Sequence, residues 1–539
     1  MNKLRVIIIK NIAIIPEPVK TLSNDGEFLL TKDTNIISDK NLVDLSQYLK
    51  KLFLPATGFD LHTQLIEENF IDNNAIRLEI TDNYELNSSE GYYLEITPRA
   101  IVIAARAPAG VFYGIQTLRQ LFPVELESKQ IVNNINWKVS CGKIEDHPRF
   151  PWRGYMLDEA RHFHGKEVVK KILDIMALLK LNKFHWHLTD DQGWRIEIKK
   201  YPKLTEIGSK REESQIGGVL SREVNGIPHS GCYTQDEIQE IINYAKERFI
   251  TIIPEIEMPG HVRAALASYN NLSCREFAFR VSPHWGIHRD VLCIGKEEVF
   301  EFLQNILSEI IELFPYDVIH IGGDEVPKNR WKECTHCQSR IQQEGLQNEK
   351  DLQVYFTNRI TRFLNSKGKL MMGWNEILGP NLEGDVICQY WIRKKKKVLD
   401  FVRDGGNAIM SNFKYAYLDH SYSFTPLKLA YEFEPIPKNL EREYHHRILG
   451  LEALMWAEFI PNIKRLEWQT FPRLIAFSEV GWSSMENRNY SSFKKRLNVL
   501  LNRFDIIGIN YANKKEVKPR FLKRKTGLFS LAQAQNGGT

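Results

Sequence analysis

Several features that would place this chain in a special structural class are scarce or missing. Its 539 residues include 7 cysteines, which are too few for a disulfide scaffold, and the odd number leaves at least one thiol unpaired. No apolar run approaches the roughly 18 residues of a membrane-spanning helix, and the mean hydropathy is -0.35. The composition therefore indicates a globular protein, and we expect no membrane partner.

An excess of one sign of charge is also missing outside one segment. The net charge is +5, yet Lys514–Lys525 alone holds seven basic residues and one acidic residue, so the rest of the chain is close to neutral. A nucleic-acid-binding protein usually spreads basic residues over a face and interleaves aromatic residues. We therefore expect no nucleic-acid partner, and residues 513–539 are predicted to form a basic, disordered tail.

Cofactor motifs are missing as well. No Rossmann fingerprint or phosphate-binding glycine loop is present, and Gly322-Gly323 is too short to count as one. Cys334 and Cys337 form a single C-x-x-C without a second pair, so the sequence does not support a complete zinc site. We interpret that segment as a surface loop and expect neither a cofactor nor a metal.

The N-terminus resembles a secretory signal only in part. Met1–Arg5 is basic and Val6–Ile15 is apolar, but Lys10 and Asn11 interrupt the apolar stretch and no small-x-small cleavage site follows. We interpret Val6–Ile15 as a β-strand. The expected location is the cytoplasm, with secretion as the alternative.

The hydrophobic pattern changes near residue 147. Before it, Ile76–Thr81 and Tyr92–Thr97 alternate apolar and polar residues, Ile101–Ala105 is continuously apolar, and Gln116–Leu121 is a predicted helix. Antiparallel strands combined with helices predict a small α+β domain over residues 1–147.

Residues 148–512 have a different pattern, in which short apolar runs alternate with amphipathic segments. Lys166–Leu181 is apolar on one helical face, and Thr234–Glu237 forms a capping box. Eight runs are predicted strands: Tyr155–Leu157, Phe184–Leu188, Thr251–Ile256, Val318–Ile321, Leu370–Trp374, Val386–Trp391, Ala408–Met410 and Gly450–Leu454. Eight strand–helix alternations predict an α/β fold, a (β/α)8 TIM barrel.

Barrel enzymes carry catalytic groups at the C-terminal ends of their strands. Polar and aromatic side chains are concentrated there in this sequence: Asp158, Arg161, His187, Asp190, Asp191, Glu257, His261, Asp324, Glu325, Trp374, Trp391, Tyr417, Asp419, Trp456 and Glu458. Asp324 and Glu325 are adjacent, and two carboxylates in one cleft repel, which raises a pKa and yields an acid that can donate a proton. Such a pair suits glycosidic bond cleavage, although two acidic residues also favour a helix start.

Three tryptophans at strand ends could form flat walls against a sugar ring: Trp374, Trp391 and Trp456. Tyr417 with Asp419, and Trp456 with Glu458, repeat an x, x+2 spacing that places both side chains on one face of a strand. Each pair could then present one aromatic ring and one carboxylate. A competing interpretation is a metal-dependent barrel hydrolase that uses His185, His187 and His261 as ligands.

Eight motifs between residues 153 and 458 together resemble glycoside hydrolase family 20, the β-N-acetylhexosaminidases. They are RGYMLDEARHF (153–163), NKFHWHLTDD (182–191), PEIEMPGH (254–261), HIGGDE (320–325), GWNE (373–376), QYW (389–391), YLD (417–419) and GLEALMWAE (450–458). Residues 1–147 resemble the non-catalytic domain of that family less specifically.

The resemblance implies an exo-acting, retaining, substrate-assisted hydrolase in which the 2-acetamido oxygen attacks C1 and forms an oxazolinium intermediate. It implies that Glu325 is the general acid and base, that Asp324 orients the acetamide, and that Tyr417 hydrogen-bonds to the acetamide oxygen. It also implies that the three tryptophans enclose the sugar, that Arg161, Asp419 and Glu458 hold its hydroxyls, and that Asp190 and His261 support Glu325.

Other functions remain open at this point. A non-catalytic carbohydrate-binding protein could share the fold, and a transglycosylase would differ only in the acceptor that replaces water. The sequence does not separate glucosamine from galactosamine substrates or identify the natural glycan.

Overall fold

The computed structural model describes residues 13–66, 73–84 and 88–518. The chain divides into two compact units. The first contains the described parts of 1–151, together with 175–181 and 475–511, and the second contains 152–174, 182–474 and the described residues from 512 onward. Of the predicted strand Val6–Ile15, only 13–15 are described, and they are irregular. Most of the predicted tail lies outside the described residues.

The first unit contains a seven-stranded sheet with the order β1-β7-β5-β6-β4-β2-β3 among its described residues. Its strands and helices are β1 Lys20–Leu29, β2 Asn35–Ser38, α1 Val43–Thr57, β3 His62–Leu65, β4 Ala75–Ile80, β5 Tyr92–Ile96, β6 Ala100–Ala105, α2 Pro108–Leu121 and β7 Lys138–Asp146. The predicted strands β4, β5 and β6 are present, but α2 begins eight residues before the predicted Gln116, with a proline in its first turn.

The sheet is mixed, so the expectation of antiparallel strands was wrong for half of it. β3, β2, β4 and β6 pair in parallel, whereas β6, β5, β7 and β1 pair antiparallel. The parallel half was missed because β2 and β3 have only four residues each. Parallel neighbours need a crossover, which α1 supplies between these two strands.

The second unit contains a closed parallel barrel with the order β14-β15-β16-β17-β18-β19-β8-β9. Its strands are β8 Trp152–Asp158, β9 Lys183–His187, β14 Thr251–Glu255, β15 Val318–His320, β16 Leu370–Trp374, β17 Val386–Tyr390, β18 Asn407–Met410 and β19 Ile448–Met455. All eight predicted strands are confirmed, and with them the (β/α)8 fold. One interior layer is apolar: Trp152, Ile253, Val318, Met372, Ile387 and Ile409.

Helices and short hairpin strands connect the barrel strands. They are α3 Lys166–Leu178, β10 Thr189–Asp190, β11 Gly193–Trp194, α4 Lys203–Glu206, β12 Lys210–Arg211, β13 His229–Ser230, α5 Gln235–Lys246, α6 Arg263–Ser268, α7 Glu297–Leu313, α8 Asn329–Glu333, α9 Thr335–Gln343, α10 Glu349–Ser366, α11 Lys395–Arg403, α12 Phe413–Ala416 and α13 Leu427–Tyr431. After the last barrel strand the chain forms α14 Ile463–Thr470, α15 Arg473–Trp482 and α16 Tyr490–Ile507. The capping box of α5 is confirmed, with Thr234 and Glu237 bonded reciprocally. None of the helices within the described ranges is long and apolar enough to cross a bilayer.

The C-x-x-C segment is not a surface loop, which corrects the sequence prediction. Cys334 lies between α8 and α9 and Cys337 lies inside α9, and both side chains are buried. Sequence spacing did not reveal this burial because the packing partners of these cysteines come from distant parts of the chain.

A second interior layer of the barrel is polar, which the sequence did not predict. His185 lies between two glutamates, with 2.9 Å from its Nε2 to Glu255 and 2.7 Å from its Nδ1 to Glu452. Burial alone would lower the pKa of His185, but these two carboxylates raise it to about 9. The Nε1–H of Trp374 also donates to Glu255, at 2.8 Å. This buried network therefore holds Trp374 in place at the mouth of the barrel.

Candidate active site

Two glycines carry the chain from the end of β15 to the adjacent carboxylates. Gly322 has φ +66°, and a Cβ atom there would lie 1.7 Å from Glu257 Oε2. Gly323 has φ +87°, and its Cβ would lie 2.7 Å from the side chain of Ile377. Any larger residue would clash at both positions. The pair of glycines therefore lets Asp324 follow directly at the mouth of the barrel.

Glu325 and His261 both have left-handed backbone conformations, with φ +47° and +52°. Such values are uncommon outside glycine and are often found where function requires strain. His261 Nε2 is 3.8 Å from Glu325 Oε2, and His261 Nδ1 is 3.1 Å from Asp191 and 3.4 Å from Asp190. The two strained residues thus face each other, and the structure brings the predicted supporting residues behind Glu325.

The burial of Glu325 favours its protonated form. Burial raises the pKa of Glu325, although His261 and Arg161 oppose that rise. Burial alone would lower the pKa of His261, but Asp190 and Asp191 raise it well above its ordinary value. The imidazole is therefore a cation that limits how far the pKa of Glu325 rises.

Asp324 has an unsatisfied polar atom. Its Oδ1 is shielded from solvent and has no hydrogen-bond partner in the described part of the chain. Burial first, and then the neighbouring Glu257, Glu376 and Glu325 carboxylates, raise the pKa of Asp324 well above its usual range. A buried carboxyl oxygen without a donor is costly, so the site is arranged to receive a donor from a ligand.

Four aromatic side chains form a continuous wall across the mouth. Trp374 packs on Trp456 with 5.7 Å between ring centroids, Tyr417 lies 6.3 Å from Trp456, and Trp391 stacks on Tyr417 at 6.1 Å. Trp391 also donates its Nε1–H to Glu376 Oε2 at 2.9 Å. The three tryptophans predicted at strand ends therefore come together, with Tyr417 between two of them.

Charged residues lie next to the aromatic wall. The Arg161 guanidinium pairs with Asp190 at 2.7 Å and Asp158 at 3.2 Å, and it lies 5.0 Å from the ring of Trp456. Burial raises the pKa of Asp419 well above its ordinary value, and the nearby Glu458 raises it further. The predicted hydroxyl-binding residues are thus partly buried and close to the aromatic wall.

The prediction that Tyr417 with Asp419, and Trp456 with Glu458, share one face of a strand was wrong. Tyr417 follows the short helix α12 and forms only an isolated bridge with Leu454, and Trp456 lies just beyond β19. Neither pair therefore alternates along a regular strand. The carboxylates Asp419 and Glu458 nevertheless lie near each other, because the two segments that carry them are paired.

The sequence pattern did not single out Glu376, although this residue belongs to the site. It accepts from Trp391 and raises the pKa of Asp324. Its position two residues after Trp374, at the end of β16, was the available signal. The three histidines considered as metal ligands have overlapping partners: His185 contacts Glu255 and Glu452, His187 contacts Asp158, Asp190, Glu255 and Glu257, and His261 contacts Asp190 and Asp191. Among the described residues, however, no group of potential metal ligands within 4.8 Å of one another contains two of these three histidines.

Comparisons with known proteins agree with this geometry. The family model described as "Glycosyl hydrolase family 20, catalytic domain" matches residues 150–485, and "Glycosyl hydrolase family 20, domain 2" matches residues 11–147. A beta-hexosaminidase of Porphyromonas gingivalis is 39% identical over 515 residues, covering 93% of this chain, and the chain spans 64% of that relative's length. A beta-hexosaminidase of Akkermansia muciniphila is 33% identical, with coverage of 76% of this chain and 82% of the relative.

Solved structures are similar over almost the whole chain. The GH20 beta-N-acetylhexosaminidase of Streptomyces coelicolor A3(2) has a TM-score of 0.81 at 30% identity, covering 94% of this chain and 99% of that chain. A mutant Streptomyces plicatus beta-hexosaminidase in complex with its product GlcNAc has the same TM-score and identity, with coverage of 94% and 97%.

Proposed function

Because this chain belongs to glycosyl hydrolase family 20, we propose that it is an exo-acting retaining hydrolase that removes terminal non-reducing β-linked N-acetylhexosamine, GlcNAc or GalNAc, from glycans. The observation that carries the proposal is the unpartnered Oδ1 of Asp324 beside Glu325, in front of the aromatic wall. An acetamide N–H is the donor that would satisfy this oxygen. The relatives named beta-hexosaminidase, and the related structure with GlcNAc, support this substrate class.

In the first step, the acetamido oxygen of the substrate attacks C1 while Glu325 donates a proton to the leaving glycosidic oxygen. The C1–O bond breaks, and a five-membered oxazolinium ring forms. The positive charge lies on the acetamide carbon and nitrogen, next to Asp324. Tyr417 donates its hydroxyl to the acetamide oxygen and orients it. In the second step, Glu325 accepts a proton from water, which attacks C1, opens the ring and retains the β configuration.

Asp324 is suited to a charge that develops only during reaction. Burial favours the neutral form of its carboxyl group, because burial raises the pKa of Asp324. The acetamide N–H and the growing positive charge both favour the anion. The stabilisation is therefore larger in the transition state than in the bound substrate, which is the condition for rate acceleration.

The remaining residues hold the sugar. Trp374, Trp391 and Trp456 cover its apolar faces, and Arg161, Asp419 and Glu458 bind its hydroxyls. Asp190 and Asp158 fix the Arg161 guanidinium at 2.7 and 3.2 Å, so little side-chain freedom is lost when substrate binds.

The first test compares p-nitrophenyl N-acetyl-β-glucosaminide with p-nitrophenyl β-glucoside. The N-acetyl substrate should be hydrolysed and the glucoside should not, because only the former carries the nucleophile. Proton NMR at early times should show the β anomer of the released sugar. Equal hydrolysis of both substrates, or initial release of the α anomer, would contradict the mechanism. Hydrolysis of neither substrate would favour a carbohydrate-binding protein. Transfer of the sugar to an added alcohol, with less free sugar released, would indicate a transglycosylase.

The pH dependence of kcat/KM should change when His261 is replaced. kcat/KM requires protonated Glu325 and should fall as pH rises through its pKa. His261→Gln removes the cation 3.8 Å from Glu325, which also offsets part of the negative charge of Asp190 and Asp191, so the pKa of Glu325 rises further. The alkaline limb of the profile should therefore move to higher pH.

A matched comparison for this shift is Arg393→Gln. Arg393 is an exposed cation that also opposes the pKa rise of Glu325. Its replacement should shift the limb in the same direction, and high salt should abolish that shift because exposed charges are screened. A limb that moves to lower pH in His261→Gln would contradict the assigned role.

A further inference from the structure

Four cysteines of the second unit come together in a group that contains none of the proposed catalytic residues. This cysteine cluster consists of Cys274, Cys293, Cys334 and Cys337, whose sulfur atoms all lie within 4.8 Å of one another. All four are free thiols, three are buried, and Cys274 is half-buried. The sequence separations across the cluster reach 63 residues, so the fold and not local spacing assembles it.

The distances between the sulfur atoms have the values expected around one ion. Cys293 Sγ is 3.5 Å from Cys334 Sγ and 3.7 Å from Cys337 Sγ, and Cys274 Sγ is 3.8 Å from Cys337 Sγ. Zinc binds four thiolates tetrahedrally at about 2.3 Å, which places the sulfurs about 3.8 Å apart. A disulfide needs about 2.0 Å. The cluster therefore has the dimensions of a tetrathiolate site.

The backbone around the cluster is closely packed. Cys293 donates its backbone N–H to Leu272, and Leu292 pairs with Ser273 in an isolated bridge, so the Cys274 and Cys293 segments lie side by side. At Gly295 an added Cβ atom would lie 2.1 Å from the backbone of His336. Glycine at this position thus lets the start of α9 approach the Cys293 segment.

We propose that the cysteine cluster binds one structural Zn²⁺ ion. Nothing in the proposed hydrolysis uses this ion, and the inference stands apart from that activity. Structural zinc sites in proteins are closed and four-coordinate, and all-cysteine ligand sets are common among them. As neutral groups packed against one another, the three buried thiols add little to the stability of the fold. As ligands of a metal ion, the same cysteines would stabilise it.

The ion would fasten two connections at the mouth of the barrel. Cys274 and Cys293 belong to the connection after β14, which also carries His261. Cys334 and Cys337 belong to the connection after β15, which carries Asp324 and Glu325. Other contacts between the same connections include the Trp331 Nε1–H donated to Leu292 O at 2.9 Å, and the Arg330 Nε–H donated to Asp290 Oδ1 at 2.8 Å. Zinc would thus fix the spacing of His261 and Glu325 without touching substrate.

The test measures metal in the full chain purified without added metal or chelator. Elemental analysis should find about one zinc per chain. Cys274→Ser and Cys337→Ser should each reduce zinc at least several-fold and lower the melting temperature by about 5 °C or more. Cys232→Ser is the matched control, because Cys232 is a half-buried cysteine outside the cluster, and it should keep its zinc.

A measurement on the unmodified protein covers the case in which these variants do not fold. Mercurial titration of its thiols should release zinc to a colorimetric chelator in proportion to the cysteines modified. Replacement of zinc by Co²⁺ should give the visible absorption of a tetrahedral thiolate complex. Absence of metal with no zinc uptake, disulfides among these cysteines, iron in place of zinc, or unchanged zinc in both cluster variants would each overturn the proposal.

Discussion

Replacing Glu325 by glutamine should lower kcat for p-nitrophenyl N-acetyl-β-glucosaminide by a factor on the order of 10³, within the usual range for loss of a general acid–base group. Glutamine keeps the size of the side chain and the left-handed backbone conformation of this residue. It has no proton to give to the leaving oxygen and cannot take one from water. The measurement is steady-state kinetics over a range of pH.

The dependence on the leaving group separates catalysis from a folding defect. A dinitrophenyl leaving group needs little protonation, so its departure should be impaired much less than that of a sugar or alkyl alcohol. The alkaline limb of the pH profile should also disappear, because the group that titrates there is gone. The control is Glu333→Gln on α8, an exposed glutamate in the same connection, which should keep normal kinetics. An equal loss for all leaving groups would argue against Glu325 as the acid.

Much of the barrel could be predicted because its strands are short apolar runs bounded by polar segments. Every predicted run from Tyr155–Leu157 to Gly450–Leu454 lies in a barrel strand, with ends shifted by a few residues. The rule that catalytic groups follow parallel strands then placed Asp324 and Trp374 at one mouth. These predictions needed only the strand order along the chain.

What could not be predicted depends on which segments become neighbours. The buried ion pairs of His185 with Glu255 and Glu452 join β9 to β14 and to β19, which is the last barrel strand in sequence. Tyr417 reaches the site from a helix end, not from a strand. Cys274 and Cys293 carry no local pattern, so the single C-x-x-C seemed incomplete until the fold supplied two more thiols.

Replacing Asp324 should cause the second large loss of activity, for a different physical reason. Asp324→Asn keeps the shape but loses the negative charge that faces the oxazolinium, and Asp324→Ala also loses the acceptor for the acetamide N–H. We expect kcat/KM for the N-acetyl substrate to fall about 10²-fold to 10³-fold, the usual range for removing one preorganised electrostatic contact. Alanine should be the more impaired of the two.

Fluorinated acetamides show whether this loss belongs to the substrate-assisted step. Successive fluorine atoms make the acetamide oxygen a weaker nucleophile, so the rate of the unmodified enzyme should fall steeply along the mono-, di- and trifluoroacetyl series. In Asp324→Ala the slope should be shallower, because less positive charge can develop on the acetamide without its counterion. Asp317→Asn is the control: this exposed carboxylate precedes β15, at the opposite end of the strand from Asp324, and its loss should change neither rate nor slope. A slope that stays as steep in the Asp324 variants as in the unmodified enzyme would remove Asp324 from the step in which the ring closes.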